Sequence, residues 1–176
     1  MSSLEKSIGE KFDKYCRECG GLCCRCREAT FFGWELNKIP TEKVNLSKLD
    51  TNWNILKKTK DSNIRRVAIN KICAFSDGSQ CNLGEELNPL DCLSFPVYPI
   101  FNFKEEKKIK KWIVHKNCPF FKEISKDKEA VNLVKKLWKT RLKNVEITND
   151  ILKKWYGEWK EEDKEYWHDQ NLLDIN

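Results

Sequence analysis

Leu4, Ile8, Phe12 and Tyr15 recur every three or four residues, which is the spacing of a single helix face. They predict a helix over residues 3–15, with Ser2 and Glu5 at capping-box spacing ahead of it. This helix runs directly into Cys16 and Cys19, and Gly20-Gly21 predicts its break. Further on, Pro40 and Thr41 read as a stop and a new start. Leu46, Leu49, Trp53 and Leu56 fit a second helical face. Residues 64–69 read as a short strand. Asp77-Gly78-Ser79 reads as a turn between Cys73 and Cys81. Residues 109–115, with Trp112, Ile113 and Val114, read as another strand ending at His115. The last third is helical. Ser125 is the expected cap of a helix with Asp127 and Glu129 in its first turn, and Val131, Val134, Trp138 and Leu142 share one face. Thr148 caps the next helix, which runs through Trp155 to a break at Gly157, and a final segment reaches about Leu173.

These elements predict an α+β fold. They describe a single small cysteine-rich metal-binding domain over residues 1–176, with an N-terminal helix, a few short strands and a helical C-terminal third. Within it, residues 13–120 form the cysteine-rich region and residues 125–174 a helical extension. A chain of 176 residues suffices for one real core. Hydrophobic residues make up 40% and charged residues 34%, the balance of a soluble globular protein. No apolar run reaches the ~20 residues that span a bilayer, and the N-terminus lacks a signal-type apolar stretch. No membrane partner and a cytoplasmic location are therefore expected.

Charge adds little to this picture. The net charge is +6, from 33 basic and 27 acidic residues of mixed order. The densest stretch, residues 104–111, mixes both signs, so a solvated surface is the simpler reading and nucleic acid is not an expected partner. The tryptophans, Trp112, Trp138, Trp155, Trp159 and Trp167, read as core rather than as base-stacking platforms. No glycine-rich nucleotide loop appears.

Nine cysteines change the picture. The count is odd, and a reducing compartment disfavours structural disulfides. Metal ligation is the better account, because a bound metal keeps thiolates deprotonated at neutral pH. The run Cys16-Arg-Glu-Cys19-Gly-Gly-Leu-Cys23-Cys24-Arg-Cys26 carries five of them in eleven residues. Two-residue spacing lets Cys16 and Cys19 reach one centre. Gly20 and Gly21 tolerate the positive φ of a sharp fold-back, which would bring Cys23 or Cys24 round. Adjacent side chains diverge, so Cys23 and Cys24 are expected on different centres, or one of them is structural. Cys26 is the expected bystander.

The other four, Cys73, Cys81, Cys92 and Cys118, are dispersed and must be gathered by folding. Cys92 lies in a segment stiffened by Pro89, Pro96 and Pro99. Cys118-Pro119 has the following proline often found beside cluster ligands. Taken singly, Cys73 or Cys118 could equally be a small buried hydrophobe. His115, three residues before Cys118, could replace a cysteine ligand, with a strand-end histidine as the simpler reading. His168 reads as a solvated helix residue.

The ordered set Cys16-x-x-Cys19-x-x-x-Cys23-Cys24, Cys73, Cys81, Pro89-x-x-Cys92-x-x-Phe95-Pro96 and Cys118-Pro119 resembles the CxxCxxCC family. This is a zinc- or iron-chelating domain family that includes the YkgJ-like proteins and is related to flagellin lysine N-methylases. The resemblance spans about residues 13–120. It departs at Asn88 and Leu93, where members usually carry arginine. It implies Cys16, Cys19, Cys23, Cys24, Cys73, Cys81, Cys92 and Cys118 as metal ligands, and its methylase branch would imply methyl transfer to protein lysines.

Eight thiolates suit one 4Fe–4S cluster plus a Cys₄ zinc site, two four-cysteine sites, or one site with spare thiols. Spacing alone does not separate iron from zinc. The adjacent cysteines and the Cys-Pro pair favour a 4Fe–4S cluster with a redox or substrate-binding role, served by a protein or redox partner. The alternative is Zn²⁺ in a structural or interaction module. No residue is assigned a catalytic role.

Overall fold

The structure is a computed structural model that describes residues 3–21, 29–48, 64–67, 73–75, 81, 83, 87–116 and 118–157. The chain divides into two compact units, Met1–Leu93 and Ser94–Asn176. Helices accompany a two-stranded antiparallel sheet in each, so the class is α+β as expected.

The first unit opens with α1 (Ser3–Cys19). Leu4, Ile8, Phe12 and Tyr15 form its sheltered stripe as predicted, with Ile8 and Phe12 fully buried. The helix continues one turn beyond the predicted end and so includes both Cys16 and Cys19. The Gly20 N–H donates to the Arg17 carbonyl and the Gly21 N–H to the Cys16 carbonyl, each at 3.1 Å. This pair of bonds is a Schellman stop. It needs a left-handed residue after the helix, and Gly20 and Gly21 supply φ of 62° and 67°. Ser2, the expected partner of Glu5, lies outside the described residues.

Strand β1 (Ala29–Phe32) leads directly into the short helix α2 (Gly33–Lys38). It pairs antiparallel with β2 (Ile64–Val67), Ala29 opposite Val67 and Phe32 opposite Ile64. β2 matches the strand expected at residues 64–69, while β1 had no expectation. Phe31 and Phe32 point to opposite faces, yet both are buried, so both sides of β1 are covered and no polar–apolar alternation marks it. As expected, Pro40 ends α2, and a 3₁₀ turn starts at Thr41. A second 3₁₀ turn, Leu46–Lys48, begins the stretch read as a second helical face. The remainder of that stretch and the Asp77–Ser79 turn lie outside the described residues. The unit's core gathers Phe31, Leu36, Ile39, Val44, Cys73, Ala74, Phe75 and Leu83, with Phe31 and Phe75 edge to face at 5.3 Å. The short helix α3 (Leu90–Ser94) carries Cys92.

In the second unit, β3 (Val97–Asn102) pairs antiparallel with β4 (Lys108–Val114). β4 is the strand expected at residues 109–115; β3, with Pro99 inside it, had no expectation. In a two-stranded sheet each strand keeps an open edge, where a residue without an N–H is tolerated. Helix α4 (Phe121–Lys126) packs on β4, and α5 (Lys128–Arg141) on β3. Ser125 does not cap α5. It lies within α4, its hydroxyl donating to the Lys122 carbonyl at 2.8 Å. The cap is Asp127, whose Oδ1 accepts the Ala130 N–H at 3.0 Å. One residue separates two helices here, and periodicity alone merges them. Val131, Val134 and Trp138 are buried as predicted, while Leu142 is half-buried. Thr148 caps α6 (Asn149–Gly157), its hydroxyl accepting the Ile151 N–H at 3.3 Å. Lys107 fastens the β3–β4 connection to the end of α5. Its ammonium donates to the carbonyls of Leu142 and Asn144, both at 3.3 Å. Among the described residues, no helix is long and apolar enough to cross a membrane.

Candidate metal centre

The closing turn of α1 sets the geometry of the first two candidate ligands. Residues three apart on a helix share a face, with Cβ atoms about 5–6 Å apart. Cys16 and Cys19 have this spacing. Cys19 continues the sheltered stripe and is half-buried, whereas Cys16 is exposed. The Cys19 thiol donates to the Cys16 carbonyl at 3.5 Å. Beside them Arg17 pairs with Asp13. The hydrogen bond from Arg17 holds the Asp13 carboxyl below its usual range, and the same contact pushes the Arg17 guanidinium up. Cys23, Cys24 and Cys26 lie outside the described residues.

Of the dispersed cysteines, Cys73 is 7% exposed and sits inside the core cluster among Phe31, Leu36 and Phe75. Cys118 is equally enclosed, in the second unit. Its N–H donates to the His115 carbonyl at 3.1 Å, and the His115 ring lies 5.6 Å from that of Phe95. Cys92 is exposed on α3. Among the described residues, no three His, Cys, Asp or Glu side chains come together as a metal site.

Cys81 is exposed, and its thiol donates to Asn88 Oδ1 at 3.1 Å. Asn88 thus accepts a hydrogen bond from a candidate ligand, and Leu93 is buried. Burial pushes the Cys81 thiol up, opposed by the Leu83 N–H and by the positive charge of Lys43. Without a bound metal, a raised value keeps the Cys81 thiol protonated at neutral pH. Its alkylation by iodoacetamide at pH 8 is therefore expected to be slower than that of an unstructured cysteine peptide, and to accelerate as the pH rises beyond the ordinary thiol range. Lys43→Glu should slow it further by removing the cation that favours the thiolate. Mass spectrometry of the Cys81 peptide over time checks both; a rate equal to the peptide's at pH 8 would contradict the assignment.

Two acidic residues absent from the sequence expectations organise this region. Glu35 is 5% exposed and Asp91 4%. Glu35 accepts the Phe32 N–H on Oε2 and the Leu90 N–H on Oε1, both at 3.0 Å. Asp91 Oδ2 accepts the Thr30 N–H at 2.9 Å. Buried carboxylates need such partners, since an unpaired buried charge is strongly unfavourable. Each bond to a charged acceptor contributes about 1.5–3 kcal/mol. Together they join the chain just after the cysteine run to the turn that carries Cys92. Only a local signal was available in the sequence. Glu35 stands three residues after Phe32, the spacing at which a side chain reaches back to the start of a helix. The long-range partners, 55 and 61 residues away, leave no such trace.

No protein-family model, no curated protein and no solved structure matches this chain.

Proposed function

We propose that the chain binds metal through its clustered cysteines, as a 4Fe–4S protein of the reducing cytoplasm with a redox or substrate-binding role. The observation that carries this reading is the end of α1. The helix stops at a glycine pair immediately after presenting Cys16 and Cys19 on one turn, and the chain then supplies Cys23, Cys24 and Cys26 within five residues. A packing role does not explain this density, since Cys16 is exposed. Thiolates in such a turn are soft ligands suited to iron–sulfur clusters. Cys73, Cys81 and Cys92, which belong to the same unit as the run, remain the candidates that complete the ligand set. The carboxylate links between residues 30–32 and 90–91 support a centre that draws on both the run and the Cys92 turn.

Visible absorption of anaerobically purified protein tests the reading. A broad band near 400 nm that bleaches on exposure to air is the expected result. A colourless protein with stoichiometric zinc would replace the cluster by a closed Cys₄ zinc site, which has no open position for substrate.

A further inference from the structure

Thr30, Phe32, Leu90 and Asp91 carry backbone N–H groups or side chains that meet across the first unit, and Glu35 is the centre of that meeting. Its two carboxylate oxygens are used separately, one on each side of the junction. One side is strand β1, whose first residue, Ala29, follows Cys26 by three links. The other side is Leu90, two residues before Cys92. Asp91 adds a second bond across the same junction, to Thr30. Glu35, Asp91 and Thr30 are all buried, so these bonds are shielded from competing water.

We infer that Glu35, supported by Asp91, is a positioning residue for the metal centre: it holds the Cys92 turn in register with the chain leaving the cysteine run before any metal arrives. This inference rests on the metal-binding reading above and adds to it a pre-formed frame. Pre-formation matters for ligation, because a centre whose ligands are already gathered loses less conformational freedom on binding and releases metal more slowly.

Glu35→Gln separates positioning from bulk stability. The amide keeps the volume but offers one oxygen where two N–H groups need acceptors, so one bond across the junction is lost and a donor faces a donor. Ile39→Val is the matched control: Ile39 is fully buried in the core of the same unit, and the change removes one methylene without altering a polar group. Full-length wild type, Glu35→Gln, Asp91→Ala and Ile39→Val are loaded anaerobically with iron and sulfide. Loss of iron to a chelator is then followed by absorbance, alongside thermal unfolding of each metal-free protein.

The expected result is that Glu35→Gln and Asp91→Ala release iron at least tenfold faster than wild type. Ile39→Val should release it at nearly the wild-type rate at comparable thermal stability. Release from Glu35→Gln at the wild-type rate, or no faster than from a control equally destabilised, overturns the positioning role while leaving metal binding intact. If Glu35→Gln does not fold, Asp91→Ala against Ile39→Val makes the same comparison. A wild-type protein that takes up neither iron nor zinc removes the metal-binding reading, and the inference with it.

Discussion

Replacing Cys16 and Cys19 together by serine is expected to remove at least nine-tenths of the bound metal while leaving the helix content of the protein unchanged. The two halves of this expectation have separate causes. Metal loss follows because serine is a poor substitute for thiolate toward iron or zinc at neutral pH, and two ligands leave at once. Helix retention follows because the stop of α1 depends on backbone groups. The Gly20 and Gly21 N–H groups donate to the carbonyls of Arg17 and Cys16, not to sulfur. Helix propensities of cysteine and serine are also close. Cys16 is exposed and Cys19 only half-buried, so little apolar contact is lost. Metal analysis and far-ultraviolet circular dichroism on the same sample check both halves. Full metal content in the double variant would show that the run is not the ligand source.

The second large effect belongs to the second unit and to packing alone. Trp138→Ala is expected to lower stability by about 3–5 kcal/mol, the range for deleting a large aromatic from a core. Trp138 is fully buried on α5, with Val131, Val134 and Leu137 of the same helix buried beside it. Its ring meets Phe101 of β3 edge to face at 5.9 Å, a geometry that adds about 0.5–1.5 kcal/mol beyond area burial. Against a total stability of about 5–15 kcal/mol, such a loss is a large fraction. Trp138→Phe keeps an aromatic partner for Phe101 and should cost less than half as much. Urea unfolding followed by circular dichroism measures both. A loss under about 1 kcal/mol for the alanine variant would mean that the site collapses around the deletion.

Legibility of the fold tracked how local its causes are. α1 was readable because its stripe and its glycine stop lie within one stretch of chain. Only its last turn was misplaced, since Cys16 and Cys19 invite a loop reading when they stand in a helix. β1 was missed because four residues with Phe31 and Phe32 both buried carry no alternation. β3 was missed for a related reason: Val97, Tyr98 and Pro99 are consecutively buried, and the proline argues against a strand. Ser125 reads as the cap, with Asp127 in the first turn, because α4 and α5 are separated by a single residue and periodicity runs across it.

For the candidate centre, the sequence identified the cysteines but not the frame around them. Cys81 and Asn88 are seven residues apart and joined by a side-chain bond that no motif specifies. Glu35 and Asp91 are ordinary acidic residues in sequence, in a chain that has 27 of them. Their importance comes from burial and from backbone partners half a unit away along the chain. The cysteines thus state the chemistry, and the carboxylates state how two distant segments are held.

The proposal that clustered cysteines hold a metal is tested most directly by quantifying iron, acid-labile sulfide and zinc in the full-length protein purified without oxygen or chelator. The account predicts iron and sulfide in equal amounts, about four of each per chain for one 4Fe–4S cluster. Protein that is fully folded by circular dichroism yet carries neither iron nor zinc would contradict it.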